Sequence, residues 1–200
     1  MQLFLNATSP FARLARVVAL EKGLADQLKL VWCDPWSNDP ALLAAHPQLR
    51  IPVLLTDSGH AISESLLITQ YLDHIGLGPA LVLPAQMADI LARTSVAYGL
   101  MEAAFGVVIG RKNEGAEVAD ATVMGQRRLA AMARVLRHLE DTASTSIPRW
   151  TLDMLCTAIA LEYVRFRLPA LLPAASYPRL HAWLAQAAQH PHLRATQFVS

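Results

Sequence analysis

One stretch limits the possible folds more than any other. It runs Leu49-Arg50-Ile51-Pro52-Val53-Leu54-Leu55, turns at Thr56-Asp57-Ser58-Gly59, and continues as Ala61-Ile62-Ser63-Glu64-Ser65. Val53, Leu54, Leu55 and Ile62 suit strands, and Asp57-Ser58-Gly59 supplies hairpin turn chemistry. Pro52 cannot donate a ladder hydrogen bond, so it belongs at the strand's first residue. Ser63, Glu64 and Ser65 then open a helix carrying Leu66, Leu67, Tyr71, Leu72 and Ile75. A helix mouth of free N–H groups attracts carboxylates, and an acidic side chain beside it can hold an ammonium. Two readings stand: an ordinary turn with its N-cap, or a clamp for a ligand bearing both groups, such as an amino acid.

Order along the chain narrows the architecture. Residues 2–6 read as a buried strand, and Ser9-Pro10 as an N-cap with proline at the first helical position. Leu14, Val17, Val18 and Leu20 line that helix, and Gly23 fits its end. Lys29 to Trp32 reads as a second strand, and Asp39-Pro40 repeats the cap-then-proline signal before a short helix. With the hairpin and its helix, this makes a small α/β unit within about 76 residues. Residues 76–84 hold two glycines and two prolines and read as a linker. Beyond it the pattern is helical throughout: residues 86–110, 120–142, a very apolar helix from Leu152 to about Phe166, and a last one from Pro178 to about Gln189. Gly99 and Gly106 are weak points in the first of these.

Composition excludes several classes. The 200 residues are 54% hydrophobic and 16% charged with a net charge of +1, which gives nucleic acid no reason to bind. No run approaches the roughly 20 apolar residues of a membrane span. Cys33 and Cys156 are far apart and outside any metal-ligand spacing, so they read as reduced structural thiols. The seven histidines form no ligand constellation, and no metal is expected. The chain opens directly on Gln2-Leu3-Phe4-Leu5 with no export signal, so a soluble cytoplasmic protein is expected.

The segments Thr8-Ser9-Pro10-Phe11 through Ala19-Leu20-Glu21-Lys22-Gly23, then Arg50-Ile51-Pro52-Val53-Leu54, Glu64-Ser65, and Tyr177-Pro178-Arg179-Leu180 with Trp183-Leu184 carry a resemblance. In that order and spacing, the chain resembles a cytosolic glutathione S-transferase from about residue 1 to 197. The resemblance implies a thioredoxin-like domain at 1–77 and an all-helical domain at 85–200. It implies a cis bond before Pro52, an affordable choice at X–Pro, that exposes the backbone of Ile51 to the cysteinyl part of glutathione. Glu64 and Ser65 would hold the γ-glutamyl ammonium and carboxylate. Arg50 would either reach the glycyl carboxylate or stand solvated.

The implied chemistry centres on Ser9. A thiol with a pKa of about 8.5 is only a few per cent thiolate at neutral pH, and lowering it by about 2 units takes roughly 2.7 kcal/mol. A Ser9 hydroxyl donating to sulfur and the helix N-terminus at Pro10 can supply much of this; the bland reading is that Ser9 only caps its helix. Phe11, Tyr98, Met101 and Phe105 are candidates for an apolar electrophile pocket, although such a stripe equally suits a core. The implied activity is transfer of the glutathione thiolate to a small hydrophobic electrophile in a detoxifying homodimer, with glutathione as co-substrate. Isomerisation, dehalogenation or peroxide reduction on the same site is the enzymatic alternative, and a non-catalytic interaction module the other. Two departures from relatives stand out: Tyr98 replaces a common aspartate. Asp153 follows Thr151 one position early for a reciprocal capping box.

Overall fold

The local punctuation read above produces the first unit almost element by element. The structure, a computed structural model, describes residues 1–144 and 146–199. It divides into two compact units, residues 1–81 with 192–200, and residues 82–191.

In the first unit, β1 (Gln2–Leu5), β2 (Lys29–Trp32), β3 (Val53–Leu55) and β4 (Ala61–Ser63) form one sheet in the order β2-β1-β3-β4. β1 runs parallel to β2 and antiparallel to β3, which pairs antiparallel with β4. Because side chains alternate across a strand, Phe4 and Val53 meet Leu42 of α2 (Pro40–Ala45) on one face. Leu3, Leu5 and Leu54 face the other way and are fully buried beside α1 (Pro10–Glu21) and α3 (Ser65–Ile75). This is the mixed, four-stranded thioredoxin-like sheet.

The end of α1 shows why Gly23 was legible. Gly23 takes φ +68°, its N–H bonds to Leu20 O, and the Leu24 N–H returns to Ala19 O; these are the two bonds of a Schellman close, which favours glycine at its left-handed residue. The expected linker behaves differently. Lys22, only 2% exposed, donates to Gly78 O (2.6 Å) and Pro79 O (3.0 Å) and pairs with Asp73 (3.0 Å). Asp73 also receives the Leu81 N–H. A Cβ on Gly78 would collide with Glu21 O. Glycine is needed there for close packing, and the segment through Leu81 is bonded into the first unit.

The second unit is all helical: α4 (Met87–Glu114), α5 (Ala116–Ala121), α6 (Val123–Thr142), α7 (Leu152–Arg167) and α8 (Pro178–Ala187). α4 runs unbroken through Gly99 and Gly106, since its packing against α6 and α7 outweighs glycine's weak propensity. The segment expected as one helix over 120–142 breaks at Thr122. Its hydroxyl donates to Ala119 O and accepts the Gly125 N–H, closing α5 and capping α6 in one residue. α7 is buried along nearly its whole length, as its apolar run predicts. The chain returns to the first unit with α9 (Pro191–Arg194). There Arg13 of α1 donates to Leu193 O and Thr196 Oγ1. Among the described residues, no helix is long and apolar enough to cross a membrane.

Candidate functional site

The sheet's pairing brings four chain segments to one edge. β1 ends there at Leu5, and β2, parallel to it, ends at Trp32. β3 begins there at Val53 and β4 ends opposite it at Ser63. The turns that leave or enter this edge therefore contain Asn6–Ser9, Cys33–Asp34, Arg50–Pro52 and Glu64–Ser65. All of the polar glutathione-site residues expected from sequence occupy these turns.

Ser9 is mostly buried and stands at the N-cap of α1, its Oγ accepting the Ala12 N–H at 3.2 Å. A hydroxyl accepts through oxygen and still carries one proton. Capping therefore uses a lone pair of Ser9 and leaves its donor for another acceptor, so the bland and chemical readings of this serine are compatible. Asn6 completes the turn: its Oδ1 receives the Ser9 N–H at 2.8 Å and the Thr8 N–H at 3.2 Å. Sequence reading passed over Asn6, though an asparagine between a strand and a helix cap signals such a side-chain-closed turn.

The Ile51–Pro52 peptide is cis, as the resemblance implies. Ser65 is buried at the first position of α3, and Glu64 precedes it at φ +66°. A non-glycine residue in this left-handed region is uncommon and concentrates at functional sites. The Glu64 side chain does not cap its own helix. It pairs with Arg50, Nη1 to Oε1 at 2.9 Å, across two exposed side chains. Leu49, beside Arg50, is also left-handed at φ +52°. Sequence left Arg50 undecided; its partner is Glu64.

Cys33 lies nearer this edge than its sequence position suggests. Its backbone N–H bonds to Leu5 O, and its half-buried Sγ approaches the same oxygen at 3.7 Å. Burial first, then the negative Asp39 and Asp34, push the thiol pKa up against a lowering contribution from the Leu5 hydrogen bond, which disfavours the thiolate.

Among the expected pocket residues, Phe11 is half-buried in α1 of the first unit. In α4, Tyr98 and Phe105 are half-buried, and Met101 is fully buried within the second unit's core.

Residues 8–75 match the family described as glutathione S-transferase, N-terminal domain. The whole fold matches a glutathione transferase family member from Pseudomonas fluorescens Pf-5, solved with bound glutathione. The TM-score is 0.89 at 27% identity, covering 100% of this chain and 99% of that one. Residues 8–75 thus carry a glutathione S-transferase N-terminal domain, and the chain has the glutathione transferase fold. Among curated proteins, the chain is 24% identical over 170 residues to the uncharacterized GST-like protein YibF of Escherichia coli K12. That match covers 84% of this chain and 83% of YibF. It is 36% identical over 138 residues to the probable glutathione S-transferase GSTU1 of Oryza sativa subsp. indica, covering 66% of this chain and 57% of the rice protein. The matched residues enclose Ser9, Arg50, Ile51, Pro52, Glu64 and Ser65.

Proposed function

We propose that this chain binds glutathione at the sheet edge and transfers its thiolate to a small apolar electrophile. The observation that carries the reading is the convergence at that edge: a serine whose donor remains available, a helix mouth opening at a buried serine, and a carboxylate beside it. Ser9 donates to the sulfur and favours its anionic form. The N-terminus of α1 adds to that preference through its dipole. The backbone of Ile51 pairs with the cysteinyl part, Glu64 holds the γ-glutamyl ammonium, and Ser65 with the first N–H groups of α3 holds the adjacent carboxylate. Phe11 in the first unit and, separately, Tyr98, Met101 and Phe105 in the second are the apolar candidates for contact with the electrophile. A homodimer, a cytoplasmic setting and a detoxifying role belong to the same reading, by analogy with the matched domain and fold.

Calorimetric titration with reduced glutathione near neutral pH tests the binding half. Saturable binding that Glu64→Ala abolishes is the expected result; no binding at millimolar ligand sinks the reading. The catalytic half rests on Ser9. Ser9→Ala should lower turnover at saturating glutathione roughly ten- to a hundredfold and raise the apparent thiol pKa by about 1–2 units. Glutathione affinity should change far less, because the hydroxyl discriminates thiolate from thiol. An unchanged pH–rate profile would remove Ser9 from the chemistry.

A further inference from the structure

Glu64 is costly to place and idle as a cap. Its backbone sits in the left-handed region, its carboxylate leaves α3's first N–H groups alone, and its side chain is 47% exposed. The carboxylate instead meets Arg50, itself 63% exposed and delivered by a loop with a second left-handed residue, Leu49. In the glutathione reading, that same carboxylate receives the ligand's α-ammonium. A guanidinium therefore occupies the position the ligand's cation would take.

Resting on that reading, we propose that Arg50 is a displaceable counter-ion of Glu64, so that ligand binding at this corner is an exchange of one cation for another. Exposure makes the exchange feasible. A buried pair would leave an unsolvated charge behind when broken, whereas the released Arg50 enters water and forfeits only the small worth of an exposed ion pair. The exchange also sets specificity. A simple amine gains at Glu64 only what Arg50 already supplies, so its net gain is close to nothing. A ligand head group with an ammonium and an adjacent carboxylate gains the α3 mouth as well, and can displace Arg50. The selected class is therefore an α-amino-acid head, as in a γ-glutamyl peptide, over cationic amines of similar size.

The test compares two ligands on the full chain by calorimetry: glutathione, and its deaminated analogue in which hydrogen replaces the α-amino group. Both carry the same carboxylates, so the ratio of their dissociation constants isolates the ammonium. In Arg50→Met the deaminated-to-glutathione ratio should rise roughly two- to fivefold, the worth of an exposed pair. The rise should be repeated by Arg50→Gln and should disappear when Glu64→Gln is added. High salt should shrink it. An unchanged or reduced ratio overturns the exchange, including the case in which both ligands weaken equally because Arg50 holds a shared carboxylate. A wild-type chain that binds no glutathione overturns the underlying reading together with the exchange. Binding with an unmoved ratio overturns the exchange alone.

Discussion

Two sets of carboxylates in this molecule have opposite designs. In the helical unit, Asp153 is 4% exposed and fully engaged: Oδ1 receives the Thr151 hydroxyl at 2.6 Å and Oδ2 the Arg93 Nε at 2.6 Å. Glu140 of α6 is likewise buried, each oxygen receiving one backbone N–H, of Arg179 and Leu180, at 2.9 Å. It caps α8 from another helix, and Arg179 returns two bonds to Asp141 O and Ala143 O. In the first unit, Glu64 is exposed, strained and, among the described residues, paired with the exposed Arg50. A buried acid with fixed donors contributes to one architecture and is not available to anything else. An exposed acid with an exchangeable partner contributes little to folding and is available to a ligand.

Removing the buried acids should produce the largest effects. Asp153→Ala leaves the Thr151 hydroxyl without its acceptor and the start of α7 without its negative charge, and should cost about 3 kcal/mol of unfolding free energy. Half-exposed Arg93 can turn to water, which keeps the cost at the low end for a broken buried pair. Glu140→Ala strips two charge-assisted bonds from α8's first turn and should cost about 2 kcal/mol. Urea unfolding checks both, and a loss below about 1 kcal/mol in either would break the contrast.

Glu64→Gly sharpens it from the other side. Glycine relieves the left-handed strain at this position but adds chain entropy to the unfolded state, so stability should move by less than about 1 kcal/mol. Glutathione binding should nevertheless disappear. A variant that unfolds like the Asp153 variant would mean that Glu64 is structural.

The same distinction explains what could be read from the chain. Ser9-Pro10, Asp39-Pro40 and Gly23 are local signals, each setting backbone geometry within a few residues, and each appears where expected, while Pro52 stands one residue before β3 rather than as its first residue. Family segments then carried the sheet edge and its residues into view. What stayed hidden depends on partners far along the chain or on competing local chemistry. Cys33 reaches the edge only through the pairing of Leu5 with Trp32. Glu140 looks like one more acid on an amphipathic helix until α8 arrives 39 residues later. Gly76 and Gly78 carry the composition of a linker, but the buried Lys22 uses their lack of side chains. Helical periodicity runs straight across Thr122 and conceals the break it makes. At Thr151 the early aspartate turns the hydroxyl toward itself, so the side chain leaves the cap position unfilled.

Asp120 offers an intermediate case and the smallest expected effect. It lies partly exposed on α5 and forms a two-pronged pair with Arg111 of α4, at 2.9 and 2.7 Å. Hydrogen bonds from Arg111 hold its carboxyl below the usual carboxylate range, aided by charge attraction and opposed by burial. A depressed folded pKa means that the pair stabilises the fold above the unfolded-state pKa of about 3.9, and that this contribution fades as pH falls through the folded value. Asp120→Asn should therefore cost about 0.5–1 kcal/mol at neutral pH and nothing in strong acid, where the wild-type carboxyl is protonated too. Thermal unfolding of both chains from neutral to acidic pH tests this, and the two curves should converge on the acid side. Constant separation would mean that Asp120 acts through packing. A gap that widens in acid would reverse the sign and leave the helical unit's partly exposed acid unexplained by its guanidinium partner.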